Sequence, residues 1–358
     1  MRDVSSVEMS EVVGMDLGDK QSHLCVMDMA TGEILEEGRV PTTEEALERR
    51  FETARPMRIV IEAGTHSPWV SELLERLGHE VIVANPRKLR LIYKNRRKND
   101  KADARYLAQV GRLDVRLLAP VRHRGREVRA DLGQLRSRDA LVKARTKLIN
   151  HVRGVVKSVG SRLPKCSASS FGTKKLGEEV PKLVRSALMP VLEVIDGLTE
   201  KIRRFDREIE KMATQKYPVA LHLQQIGGVG PKTSLGFVLT LEDPDRFKKS
   251  RSVGAYLGLT PGSDESGESS PQKRITKEGD EFLRSLLVNS AQYILGPFGK
   301  DCDLRRHGMK ISARGGKNAK KRAAVAVARK LSVLMHSLWV TGEVYDPFRN
   351  SKGTEESM

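Results

Sequence analysis

Aromatic residues make up only 4% of the 358-residue chain, too few for a module that holds single strands mainly by stacking bases on rings. Cysteine is scarce as well: Cys25, Cys166 and Cys302 are widely spaced and odd in number, which supports neither a disulfide framework nor a zinc motif. Cys302 and His307 are near in sequence, but two isolated ligands do not complete a metal site. No apolar run approaches the ~20 residues of a membrane-spanning helix. The opening "MRDVSSVEMSEVV" has no apolar signal-peptide core. A cytoplasmic, nucleoid-associated protein is the expectation.

What the chain has is positive charge. Lys and Arg number 64 against 46 Asp and Glu, a formal net charge of +18, the footprint of a polyanion binder. Nucleic acid is the first candidate partner. The length suits two or three folded units with sizeable cores.

From Val12 to about Pro86, strand-like and helix-like segments alternate. "VVGMDL", "HLCVMDM", "RIVIEA" and "EVIVAN" predict strands, and "EEALERRFET" and "SPWVSELLERLG" predict helices, so this part is an α/β domain. In the first strand Val12, Gly14, Asp16 and Gly18 share one face and Val13, Met15 and Leu17 the other. Asp16 thus stands in a row of otherwise small residues, where a carboxylate is not core filling.

A basic stretch, "NPRKLRLIYKNRRKNDKADARYLAQVGR", runs into a helix on which Asp100 and Asp103 share a face. The middle of the chain reads as helical. Leu141, Ala144, Leu148, Val152, Val155 and Val159 predict one amphipathic helix, "CSASSFGTKKLGEE" a loop or linker, and Val191, Ile195, Leu198, Ile202, Phe205, Ile209 and Met212 the seam of a short coiled coil. That seam could pair two chains or pack within one.

After Tyr217 and Pro218, "LQQIGGVGPKTSLGFVLTL" resembles a helix-hairpin-helix DNA-binding element. Gly228 and Gly230 precede Pro231 at a helix start, with Lys232 next, an arrangement able to offer backbone N–H groups to a phosphate. Near the end, "GGKNAKKRAAVAVARKLSVLMHSLWV" predicts a long amphipathic helix with Leu331, Leu334, Met335 and Leu338 inward and Lys317, Lys320, Lys321 and Arg322 available to phosphates.

Asp16, Glu62, Asp100 and Asp103 have a joint physical purpose. Two like charges 4 Å apart repel by roughly 4 kcal/mol at an effective dielectric near 20, so carboxylates gather only with compensation. Mg²⁺, which prefers carboxylate and water oxygens, supplies it. Arg87, Lys88, Arg96, Arg97 and Lys98, just before Asp100, could hold a nucleic-acid backbone beside that site. The order, Asp on strand one, Glu on a later strand, then a closing Asp-x-x-Asp helix, resembles the RuvC-like branch of the ribonuclease H fold.

The chain as a whole resembles transposases of the insertion sequence 110 family, the bridge recombinases with an N-terminal DEDD domain. The motifs are "VVGMDLGDKQSHLCVMD", "IEAGTHSPWVSELLERLGHEVIVANP" and "KNDKADARYLA" in the first half. "LQQIGGVGPKTSLGFVLTLEDPDRF", "SVGAYLGLTPGSDESGE", "RITKEGDEFLRSLLVNSA" and "AVARKLSVLMHSLWVTGEVYDP" carry it in the second. The resemblance implies a RuvC-like domain over residues 1–125, a helical and coiled-coil middle over 126–218, and a mostly α-helical transposase domain over 219–358. It implies metal ligation by Asp16, Glu62, Asp100 and Asp103, and attack by Ser266 of the Ser-Gly that follows "GLTP". It also implies a structured bridge RNA pairing with donor and target DNA, and a homo-oligomer, dimer or tetramer, in which one subunit's serine meets another's carboxylates.

The serine loop departs from the family's basic pattern, since Asp264, Glu265 and Glu268 surround Ser266, and Ser263, Ser269 and Ser270 are further hydroxyls within reach. Lys273, Arg274 and Lys277 could steady a phosphate's developing charge. A serine that attacks a phosphodiester conserves bond energy in a phosphoserine link, so strands can be rejoined to new partners without a high-energy cofactor. Two other readings fit the same residues: a Mg²⁺-dependent RuvC-like nuclease that hydrolyses structured DNA, and a non-enzymatic helix-hairpin-helix DNA-binding protein.

Overall fold

The structure is a computed structural model that describes residues 9–88, 99–262, 273–349 and 351. The chain divides into two compact units, Met1–Arg124 and Gly125–Met358.

The first unit is a mixed α/β sheet in the order β1 (Glu11–Asp16), β2 (Gln21–Asp28), β3 (Ile34–Pro41), α1 (Glu44–Phe51), β4 (Arg58–Glu62), α2 (Ser67–Arg76), β5 (Glu80–Ala84) and α3 (Asp100–Leu113). In space the strands run β3-β2-β1-β4-β5. β2 pairs antiparallel with β1 and β3, whereas β1, β4 and β5 are parallel. The inner strands β1, β2 and β4 are apolar on both faces because both are covered. Val13, Met15, Ile59 and Ile61 pack with Leu47 and Phe51 of α1 and Leu73 and Leu74 of α2. Val12, Cys25, Met27 and Val60 pack with Ala104, Leu107 and Ala108 of α3.

The small-residue face of β1 now has its reason. A Cβ at Gly14 would collide with the backbone of Ala104 and Ala108, so glycine lets α3 lie directly on the strand. β3, "ILEEGRVP", does not stand out in the sequence because it is an edge strand with a single buried residue, Val40, and thus has little apolar alternation to detect.

The second unit is helical: α4 (Arg126–Ser158), α5 (Thr173–Leu176), α6 (Lys182–Lys211), α7 (Pro218–Leu223), α8 (Pro231–Leu241), α9 (Arg251–Tyr256), α10 (Glu281–Leu295), α11 (Asp303–Ala313) and α12 (Ala319–Thr341). α4 and α6 form an antiparallel hairpin, as the pairs Arg138–Asp206 and Arg145–Thr199 show. The expected seam on α6 is real, with Ile195, Ile202 and Ile209 buried, but α4 of the same chain covers it. On α4 the helix is as expected and its face is turned by one residue: Arg145, Ile149, Val152 and Val156 are buried, while Ala144 is exposed. A charged residue in the seam is invisible to hydropathy. The stretch read as a linker is anchored, since Phe171 and Leu176 are buried in the core at the hairpin tip.

At its other end the hairpin shares a core with the later helices. Leu132, Leu135, Ile209 and Ala213 cluster with Phe237, Leu287, Leu331 and Met335. Of the four inward residues expected on α12, Leu331, Met335 and Leu338 are buried and Leu334 is partly so. α12 is long and apolar enough to cross a membrane by length and composition, but here its apolar face is part of that core.

Candidate metal and nucleic-acid site

Asp16 ends β1 and Glu62 ends β4, and the parallel register pairs their preceding residues, Met15 with Ile61. Both carboxylates therefore leave the sheet at the same edge, and both line a cleft of about 360 Å³ with Asp19, Gly64, Thr65 and His66. Asp100 and Asp103 occupy the first turn of α3, whose N-cap is Asn99, its side-chain oxygen accepting from the Lys101 N–H at 3.2 Å. Carboxylates belong there, beside the positive end of the helix dipole.

Asp16, Asp100 and Asp103 each offer an oxygen within 4.8 Å of the other two. Glu62 lies outside that group and joins Asp16 across the cleft. Three clustered carboxylate oxygens, accessible to solvent, fit a hard divalent cation such as Mg²⁺ and not a soft one.

The position of α3 is fixed from the sheet. Glu37 of β3 accepts from the Arg105 guanidinium, with Nη2 to Oε2 at 2.8 Å, and pairs with Lys101 Nζ at 2.9 Å. Hydrogen bonds from Arg105, then Lys101, hold its carboxyl down at about 2.

Two histidines beside the site do not stand out in the sequence. His23 on β2 is directly opposite Asp16 in the register, and its Nδ1 is 3.8 Å from Asp100. Counting back through the tight β1–β2 connection would have found it. His66 Nε2 faces Asp19 at 3.6 Å, while its Nδ1 accepts from the Trp69 indole N–H at 3.1 Å. Because indole only donates, the neutral ring carries its proton on Nε2, on the cleft side.

Other expected residues are dispersed. Arg87 and Lys88 are exposed just beyond β5, while Arg96, Arg97 and Lys98 lie outside the described residues, as do Ser266 and its neighbouring serines. The flanks of the serine loop are pinned together: Pro261 bridges Ile275, Gly262 N–H donates to the Arg274 carbonyl at 3.0 Å, and Lys277 N–H donates to that of Gly258 at 3.1 Å. Lys273, Arg274 and Lys277 are exposed on that base. Gly228, at φ +91°, and Gly230 precede α8 and line a second cleft with Asn289, Ser290 and Tyr293. Lys232 is engaged with Asp206 at 3.0 Å. Lys320 and Lys321 are exposed at the start of α12. Cys302 caps α11 through its sulfur, which accepts from the Arg305 N–H at 3.5 Å.

A mixed α/β unit with an acidic cluster where β1 ends and α3 begins, followed by a helical unit, fits an enzyme acting on DNA, and comparison with known proteins makes that class transposase. Residues 13–160 match the DEDD transposase model for IS110 elements, and residues 220–299 match the model described as transposase IS116/IS110/IS902 family. The transposase for insertion sequence element IS1111A of Coxiella burnetii is 28% identical, over 94% of this chain and 91% of its own length. The transposase for IS1328 of Yersinia enterocolitica is 26% identical, over 78% and 83%. The chain belongs to the IS110 family of transposases.

Proposed function

We propose that this transposase cuts and rejoins the DNA of a mobile element through a phosphoserine intermediate. Ser266 is the attacking hydroxyl, and Asp16, Glu62, Asp100 and Asp103 hold Mg²⁺. The observation that carries this reading is the approach of Asp16, Asp100 and Asp103 within 4.8 Å of one another, a repulsive grouping without a cation. The strand order β3-β2-β1-β4-β5, with the carboxylates at the ends of β1 and β4, supports the RuvC-like branch of the ribonuclease H fold. The turn at Gly228 to Pro231 supports a helix-hairpin-helix-like element.

When bound, Mg²⁺ supplies activation of the hydroxyl and stabilisation of charge on the leaving oxygen. The chain's own residues do the rest. The Ser266 oxygen bonds to phosphorus as the strand's P–O bond breaks, and the departing DNA oxygen takes up the proton that the serine releases. Lys273 and Arg274, at the base of the loop, and Arg87 and Lys88, beyond β5, steady the phosphate backbone. A second DNA hydroxyl then reverses the step and regenerates the serine.

A bridge RNA pairing with donor and target supplies sequence choice, which generic basic patches and few aromatics do not. The working form is a homo-oligomer, a dimer or tetramer with shared sites, acting on the nucleoid in the cytoplasm. Residues 1–125 serve as the metal domain, 126–218 as the helical spacer and 219–358 as the serine domain.

The test incubates the full chain with Mg²⁺, candidate RNA and end-labelled DNA and looks for a protein–DNA adduct that survives denaturation. We expect an adduct that is absent from both Ser266→Ala and Asp16→Asn. Nicks without an adduct, persisting in Ser266→Ala, would assign hydrolysis instead.

A further inference from the structure

The stretch from Leu304 to Gly342 holds ten lysines and arginines and no aspartate or glutamate. Three of the ten are engaged: Arg305 donates to the carbonyls of Ile294 and Gly296, Arg306 pairs with Asp301, and Arg322 donates to the carbonyl of Gly315. The other seven are all exposed and make no ion pair among the described residues: Lys310 and Arg314 on α11, Lys317 in the turn, and Lys320, Lys321, Arg329 and Lys330 on α12. Some cations elsewhere in this unit are matched, as in Lys143 with Asp139, Arg138 with Asp206 and Lys216 with Asp131, whereas this stretch has no acid of its own to match them.

The seven are also gathered. α11 and α12 pack as a hairpin through Gly308, where a Cβ would meet Val327 and Leu295, and the turn between them uses Gly315 and Gly316 at positive φ. Lys310, Arg314, Arg329 and Lys330 surround His307, and after burial their charges are what push its pKa down. An uncompensated ridge of one sign opposes folding through self-repulsion, and an anionic partner removes that cost.

The character of the partner follows from what is absent. No Phe, Tyr or Trp occurs between Phe298 and Trp339, so the ridge offers no ring for an unstacked base. Four of the seven positions on the ridge are lysines of α12 and the turn, point charges suited to phosphate and not to bidentate base reading. From Lys317 to Lys330 the ridge spans about 20 Å, the reach of about six phosphates along one strand.

We propose that the α11–α12 hairpin docks the phosphate backbone of double-stranded DNA through charge alone, without reading bases. The assignment rests on the chain's being a DNA transposase and is independent of how the strand is cut.

The experiment measures binding of the full chain to a duplex of unrelated sequence across a salt series. The variant combines Lys317→Gln, Lys320→Gln and Lys321→Gln, and a charge-matched control combines Lys147→Gln, Lys157→Gln and Lys174→Gln. Each lost phosphate contact lowers the slope of log K against log salt by about 0.9. We expect the hairpin variant to lose about 2 to 3 from the slope, with a melting temperature no lower than that of wild type, and the control to lose none. An unchanged slope, an equal fall in the control, or a fall confined to a structured RNA probe would each overturn the proposal. Failure of Ser266→Ala to abolish the adduct would overturn the phosphoserine reading and leave this slope where it is.

Discussion

Asp103 illustrates what a single carboxylate does before any chemistry begins. Its oxygen lies within 4.8 Å of those of Asp16 and Asp100, so without a cation the three carboxylates repel one another. With Mg²⁺ the sign reverses, because a ligand that binds only the folded state adds RT ln(1 + [L]/Kd), about 2.7 kcal/mol at a hundredfold excess over Kd. We therefore expect Asp103→Asn to gain little from Mg²⁺, whereas wild type rises with each decade of Mg²⁺. Thermal melts of both proteins across a Mg²⁺ series measure this directly. A variant that keeps the full Mg²⁺ response would remove Asp103 from the site. The set of Asp16, Glu62, Asp100 and Asp103 was anticipated from the order of these residues along the chain and from the family resemblance. Periodicity places each on a face of its strand or helix but does not bring the strand to the helix; Asp16, Asp100 and Asp103 form the close group. His23 and His66 were not anticipated, because their nearness to the acidic residues depends on a hairpin register and on a loop.

At the scale of elements, the site depends on how α3 is held. Gly14 removes the side chain that would lift the helix off β1, and Glu37 ties Arg105 and Lys101 to the edge strand. Glu37 has its carboxyl lowered to about 2 in the folded state, against roughly 4.3 in an unfolded chain. A depressed carboxylate contributes stability that is fully present above the unfolded value and lost as pH falls through the folded one. Wild type should therefore lose this contribution between about pH 4.5 and 2, while Glu37→Gln, already without it, should show a flatter decline across that window. The difference between their melting temperatures against pH reads the effect, and equal slopes would show that the contact adds nothing to folding. The same variant should weaken the response to Mg²⁺, since α3 carries Asp100 and Asp103. This tie was hidden in the sequence because β3 itself was: an exposed edge strand of mixed polarity has no period to count. The α4–α6 hairpin shows the same limit. Its apolar seam was legible on α6, but Arg145, buried with its guanidinium donating to Thr199 at 3.2 Å, turns the partner face by one residue.

Across the whole molecule, the two units have separate interiors. Among the described residues, the apolar clusters around β1 and β4 draw only on the first unit, and those around α4 to α12 only on the second. The composition foretold more than one core from length alone. It did not foretell that the base of the long hairpin shares its core with the later helices, because that depends on which of several apolar faces meet. Separate cores imply separate cooperative transitions. In calorimetry of the full chain we expect two unfolding steps, with Mg²⁺ raising only the step of the unit that holds Asp16, Asp100 and Asp103. Duplex DNA at low salt should raise the other step through the α11–α12 ridge, and the lysine variant should abolish that rise. One transition shifted as a whole by either ligand would mean that the two units unfold as one, with the energy of each site spread over the entire chain.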